Sequence, residues 1–242
     1  MMRVAVVGAM HEEIEAIRPC LVDVRVERRA GRDFEFGRLD GRDLVLVRCG
    51  IGKVAAATTA AVLLDAFDVQ ALLFTGVAGG LGEGVHVGDI VVARSLLQHD
   101  MDASPLFPRW EVPLTGCARF AADAGWSDRL AQACRGLGAA DAHAGRATVH
   151  EGLVVSGDRF VSTHAESAAL RASLPDALAV EMEGAAVAQV CRDFDRPFAI
   201  VRTISDRADD DAHGDFQRFV REIAAPYSRD IVRATLAQLA LG

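Results

Sequence analysis

The sequence predicts an α/β protein built on a mixed β-sheet. Short apolar runs of strand length alternate with alanine-rich helical patterns over nearly all of the 242 residues, the rhythm of strands packed against helices. Residues 3–9 (RVAVVGA) form one continuous buried-strand run, as parallel strands covered on both faces do. Residues 33–49 instead alternate apolar and polar side chains on either side of Asp40-Gly41, the signature of an antiparallel hairpin.

The elements follow in chain order. After the first strand, Glu12 to Cys20 predicts a helix whose first turn carries two carboxylates. The 33–49 hairpin follows; Cys49-Gly50-Ile51-Gly52 then turns into a helix over Lys53 to Phe67. A strand over Ala71 to Gly76 ends at the cluster Gly79, Gly80, Gly82 and Gly84, and Asp89 to Ser95 is another strand. Residues 99–117 have no period and are rich in proline, so they read as a long loop, a kind of segment that tends to be functional. A helix over Ser127 to Leu137, a strand over Thr148 to Ser156 and a helix over Glu166 to Ser173 come next. Leu178 to Val180 enters Glu181-Met182-Glu183 and an alanine-rich helix to Phe194; Pro197 to Ile204 is the last strand, and a long helical segment closes the chain. With no repeat, low-complexity tract or linker, residues 1–242 read as one domain.

Composition narrows the functional classes. At 51% apolar and 25% charged residues, a chain of this length buries enough surface to fold without disulfide or metal. The net charge is −8 and Lys53 is the sole lysine, so no basic stripe exists to neutralise a phosphate backbone and nucleic acid is excluded as a partner. Cys20, Cys49, Cys117, Cys134 and Cys191 are odd in number and widely spaced, which reads as reduced core thiols. The start, MMRVAVVGAM, lacks the core and cleavage pattern of a signal peptide, and no run approaches the ~18 apolar residues of a membrane span. The expectation is a soluble, cytoplasmic protein.

In α/β sheets, ligands bind beyond the carboxyl ends of the strands. Collected there are Glu12 and Glu13, Thr75 with the following glycines, Ser156-Gly157-Asp158, Glu181 and Glu183, and Ser205-Asp206. Several carboxylates with few cations beyond Arg159, Arg202 and Arg207 suit a hydroxyl-rich neutral, or a cationic, small molecule. Gly50-Ile51-Gly52-Lys53-Val54-Ala55 has the G-x-G-x-x-A form of a dinucleotide turn, but the next strand ends in Thr75-Gly76 without the required acid. A phosphate-binding Walker loop fails as well, because Val54 replaces its Ser/Thr and no glycine stands at position 47. The turn is therefore structural, with backbone N–H groups available to a ligand. His11-Glu12-Glu13-Ile14-Glu15 lacks the second histidine of a zinc helix, and His99-Asp100-Met101-Asp102 has no partner cluster, so neither a metal nor another cofactor is expected. No nucleophile-elbow or Cys/His signature supports covalent hydrolysis.

At these same residues the sequence resembles a known family. Gly8-Ala9-Met10 with Glu12-Glu13, Gly50-Ile51-Gly52-Lys53-Val54-Ala55-Ala56, Thr75-Gly76-Val77-Ala78-Gly79-Gly80-Leu81, Val87-Gly88-Asp89-Ile90-Val91-Val92, Val155-Ser156-Gly157-Asp158-Arg159-Phe160-Val161, Val180-Glu181-Met182-Glu183 and Ile204-Ser205-Asp206 together look like the bacterial 5′-methylthioadenosine/S-adenosylhomocysteine nucleosidases. The resemblance implies a phosphorylase/hydrolase-like fold, a three-layer α-β-α sandwich around a mixed twisted sheet, forming a homodimer that hydrolyses an N-glycosidic bond and releases adenine. It implies that Asp206, beside Ser205, donates a proton at purine N7 and that Glu13 deprotonates the attacking water. Glu183, assisted by the Met182 backbone and Arg202, would accept the ribose hydroxyls; Phe160 would stack on adenine while the Val161 backbone reads its edge. Ala78 and Gly79 would line the pocket, Met10, Ile51 and Phe216 its apolar end, and Phe107 and Pro113 would cover the neighbouring subunit's 5′-substituent. Two positions depart from the family pattern: Val77 replaces a common Ser or Thr, and His11 a common Glu.

The turn after the first strand offers Glu12 and Glu13 where a phosphate dianion needs cationic donors, so the nucleophile is expected to be water. A futalosine-type hydrolase, with another 5′ pocket, and a non-catalytic nucleoside or NAD binder remain alternatives.

Overall fold

The computed structural model describes residues 2–140, 147–208 and 216–239. Buried β1 (Val4–Gly8) pairs in parallel with β4 (Arg42–Arg48) on one side and β5 (Ala71–Gly80) on the other. β3 (Arg32–Leu39) joins β4 through the expected turn at Asp40 and Gly41, whose φ angles of 48° and 81° are the left-handed values of a tight hairpin. An unpredicted strand, β2 (Val22–Arg29), lies beyond β3 and forms the edge of the sheet.

The other half of the sheet curls. β5 pairs in parallel with β10 (Phe198–Asp206), which pairs antiparallel with β6 (Ile90–Gln98). β6 continues in parallel to β8 (Val149–Ser156) and then β9 (Ala177–Glu181), while Gly79 and Gly80 of β5 pair antiparallel with Val180 and Ala179. These five strands thus close on themselves, so one side of the expected sandwich is a small barrel. The short β7 (Arg119–Ala121) adds to β6.

Helices cover both faces, as strand alternation dictates. Ala5 and Val7 of β1 point to the side packed by α2 (Lys53–Asp65) and α5 (Gly184–Asp193), through Ala56, Ala60, Leu63, Ala185 and Val187. Val4 and Val6 point to the side packed by α3 (Ala124–Ala140) and α7 (Ala225–Ala237), through Trp126, Leu130, Ile231 and Val232. A third cluster, around Leu97, Val155, Leu170 and Leu174, seats α4 (His164–Ser173) against the barrel.

Several boundaries differ from expectation. The helix after β1 is only α1 (His11–Ile14), followed by a 3₁₀ turn over Arg18–Cys20 with Pro19 inside it; proline has no N–H with which to prolong an α-helix. β5 runs through Gly79 and Gly80 instead of stopping at Gly76. The closing helical segment is divided into α6 (Phe216–Phe219), a π-turn over Val220–Ala224 and α7. Residues 99–117 contain one isolated bridge, Val112 to Cys117, and otherwise form a loop, as expected. No helix among the described residues is long and apolar enough to cross a membrane.

Candidate active site

The carboxyl ends of β1, β5, β9 and β10 meet at a cleft of about 180 Å³. Its lining includes Met10, Glu13, Ile51, Ala78, Gly79, Phe160, Val161, Met182, Glu183, Ser205 and Asp206, all expected at the site, together with Ala9, Val77, Arg159, Val180 and Glu181.

Glu13 is buried, and both carboxylate oxygens are fixed by backbone donors. The amides of Ala9 and Met10 donate to Oε2 at 2.6 and 2.9 Å, and that of Val77 donates to Oε1 at 3.0 Å. A Cβ on Gly76 would stand 2.8 Å from the Glu13 Cδ, so this position has room only for glycine. Burial pushes the Glu13 carboxyl above its ordinary range; the Arg202 guanidinium and the three amides only partly oppose it. Glu12 instead lines an adjoining groove with His11, Glu15 and Arg32, which meets the cleft at Ala9, Met10 and Ile51. The two neighbouring carboxylates therefore diverge, and only Glu13 faces the cleft.

The two glutamates of Glu181-Met182-Glu183 have different surroundings. Glu181 accepts from Arg202 Nη2 at 2.6 Å, from the Ser156 hydroxyl, from the Glu183 amide at 3.2 Å and from the Gly184 amide at 2.8 Å. Its lone pairs are thereby committed to the protein. Glu183 accepts from the Gly52 amide at 2.8 Å and lines the cleft. Burial, and then the charge of Glu181, push the Glu183 carboxyl up to about 8, against the pull of Arg202.

Arg202 was expected beside the ribose, but the structure places it behind the cleft wall. It is 1% exposed, paired with Glu181, and its guanidinium lies 4.2 Å over the Phe74 ring. Its Nε and Nη1 have no hydrogen-bond partner among the described residues.

Asp206 lies where β10 slips register against β5 between Ile204 and Asp206. A bulge of this kind redirects a side chain. The Ala208 amide donates to Asp206 Oδ1 at 2.7 Å and the Ser205 hydroxyl to Oδ2 at 2.8 Å. Among the other expected residues, Phe107 and Pro113 do not line this chain's cleft. Phe216 opens α6, and its side chain lies outside the described residues. Thr75 faces α7, 2.8 Å from the Ser228 hydroxyl, rather than the cleft.

The sequence matches the phosphorylase superfamily over residues 3–237. It is 37% identical over 240 residues to a 5′-methylthioadenosine/S-adenosylhomocysteine nucleosidase of Colwellia psychrerythraea, covering 98% of this chain and 97% of that protein. The structure superposes with a TM-score of 0.91, at 37% identity and 99% and 100% coverage, on the corresponding Neisseria meningitidis nucleosidase in complex with methylthio-immucillin-A. A futalosine hydrolase of Helicobacter pylori is also similar, at 30% identity and a TM-score of 0.88, covering 98% of each chain.

Proposed function

Since the chain belongs to the 5′-methylthioadenosine/S-adenosylhomocysteine nucleosidases of the phosphorylase superfamily, we propose that it hydrolyses the N-glycosidic bond of these two nucleosides, releasing adenine and the 5-thio-substituted ribose. One observation carries the assignment to this cleft: Glu13, Glu183 and Asp206 all face it, each fixed by protein hydrogen-bond donors, while the nearest buried cation is committed to Glu181.

In this reading Asp206 donates a proton at purine N7, which turns adenine into a neutral leaving group; such general-acid help is typically worth ~10²–10⁴-fold. Ser205 and the Ala208 amide hold the carboxyl in place. Glu13 takes a proton from the attacking water, and burial suits it to that task by raising its basicity. Glu183 retains acceptor capacity, which Glu181 lacks, so it receives the ribose 2′ and 3′ hydroxyls, and in its ionised form it favours the oxocarbenium-like transition state. Phe160 forms the base shelf, Val161 reads the base edge, and Met10 and Ile51 line the apolar end.

The acting form is a cytoplasmic homodimer serving methionine and S-adenosylmethionine salvage. Leu106 and Leu114 are 85% and 90% exposed in the 99–117 loop, an apolar surface of the kind that marks interfaces. Phe107 and Pro113 of that loop then belong to the neighbouring subunit's 5′ end. The test is adenine release by the purified protein from methylthioadenosine, adenosylhomocysteine, adenosine and aminofutalosine in parallel. Turnover led by the two thio-nucleosides is expected; turnover led by aminofutalosine, or adenine binding without release, would refute the assignment.

A further inference from the structure

Arginine stands at every basic position of the sequence except one. The exception, Lys53, opens α2, and its side chain is only 16% exposed. Its Nζ donates to Asp100 Oδ1 at 2.6 Å and to Gln98 Oε1 at 3.1 Å, while its backbone amide donates to Asp158 Oδ1 at 2.7 Å. The Asp158 amide in turn donates to Asp100 Oδ2 at 2.9 Å. Lys53, Asp100 and Asp158 thus form a closed ring that ties together the segments following β4, β6 and β8.

None of the three lines the cleft, yet Lys53 and Asp158 each adjoin a segment that does, and Asp100 joins the two. Gly52, next to Lys53, donates its amide to Glu183, and Ile51 stands one residue earlier. Asp158 precedes Arg159, Phe160 and Val161 of the base shelf. The joint is close: Gly52 has φ of +96°, and a Cβ there would lie 3.0 Å from Asp158 Oδ1. A compact ammonium has three donors on a flexible stem and can reach both Gln98 and Asp100; a planar guanidinium has a fixed fork and more bulk.

We propose that Lys53 is a positioning residue: through Asp100 and Asp158 it fixes the distance between the ribose acceptor Glu183 and the Phe160-Val161 base shelf, and so sets how the nucleoside lies across Glu13 and Asp206. The inference rests on the nucleosidase reading of the cleft. A misplacement of about 1 Å remote from the reacting atoms can cost about 100-fold in rate.

The experiment compares the full-length protein with Lys53→Met, Lys53→Arg, Asp100→Asn and the Lys53→Met/Asp100→Asn double variant. It measures kcat and KM for methylthioadenosine, Kd for adenine by calorimetry, and thermal midpoint. Lys53→Met and Asp100→Asn should each lower kcat/KM roughly 10- to 100-fold, mostly in kcat, while remaining folded at assay temperature. The double variant should lose little more than either single one, because both break the same ring, and Lys53→Arg should fail to restore activity. Parental kcat and KM in Lys53→Met, multiplicative losses in the double variant, or full activity in Lys53→Arg would overturn the proposal. If a variant does not fold, the remaining single variant decides by the same criteria. A parent that binds adenine but releases none would refute the nucleosidase reading instead, and the ring would then be judged by adenine Kd alone: at least tenfold weaker binding supports it, and unchanged binding overturns it.

Discussion

Replacing Glu181 by Gln separates structural from catalytic carboxylates at this site. The change preserves shape but removes the charge paired with Arg202 at 2.6 Å, both side chains being almost fully buried. Breaking a buried pair by neutralising one partner costs roughly 3–5 kcal/mol, and about 3 kcal/mol corresponds to a fall of roughly 6–12 °C in thermal midpoint for a chain of this size. The cost depends on pH through Glu183. Its folded-state pKa of about 8 lies above the ordinary 4.5, chiefly through burial and then through the charge of Glu181. Between those values the folded protein binds more protons than the unfolded one, so parental stability falls as pH rises, by up to about 1.4 kcal/mol per pH unit. With Glu181 neutral, the Glu183 pKa drops and that decline ends at a lower pH. Thermal unfolding of both proteins at pH 5.5, 7.0 and 8.5 should therefore show the variant less stable throughout, with the gap narrowing toward alkaline pH. A midpoint within about 2 °C of the parent at every pH, or a gap that widens with pH, would refute the assignment of Glu181 as the anchor of Arg202.

Two further variants address the reacting groups. Asp206→Asn should lower adenine release by at least about 100-fold while adenine still binds by calorimetry; more than a tenth of parental turnover would contradict general-acid use. Gly76→Ala should place a Cβ 2.8 Å from the Glu13 Cδ and lower kcat roughly 10- to 100-fold with an unchanged circular dichroism spectrum, whereas parental kcat would show that the position of Glu13 is not critical.

Much of this arrangement was legible in the sequence because its physical cause was local. The apolar run of β1, the Asp40-Gly41 turn and the glycine-bounded start of α2 each declare themselves within a few residues. Carboxylates at successive strand ends pointed to the cleft because α/β sheets bind ligands there. The unread parts depend on contacts distant in sequence. β2, with sequence VDVRVERR, is exposed along nearly its whole length, so its valines report no core; such charged edges discourage further strand pairing. The continuation of β5 through Gly79 and Gly80 carries no hydrophobic signal, since its purpose is close approach. A Cβ on Gly79 would stand 2.9 Å from Asp206 Oδ1. Glu181 and Glu183 are two residues apart and chemically identical, and only the fold shows that Arg202 and Ser156 claim the first while the second remains open to the cleft. The 99–117 loop showed its apolar character but not its destination, because Phe107 and Pro113 lie away from their own chain's cleft.

In the proposed mechanism, water activated by Glu13 attacks the sugar in a fold shared with phosphorylases. With Glu12 turned away, the cleft presents a phosphate dianion with the carboxyls of Glu13 and Glu183 rather than with cationic donors, and the buried Arg202 is engaged by Glu181. The decisive measurement is methylthioadenosine turnover in water enriched in oxygen-18, with and without millimolar phosphate, followed by mass analysis of the sugar. The expected product is free methylthioribose carrying one heavy oxygen at C1, formed at a rate independent of phosphate. A phosphate-dependent rate yielding a sugar 1-phosphate would contradict both hydrolysis and the role assigned to Glu13.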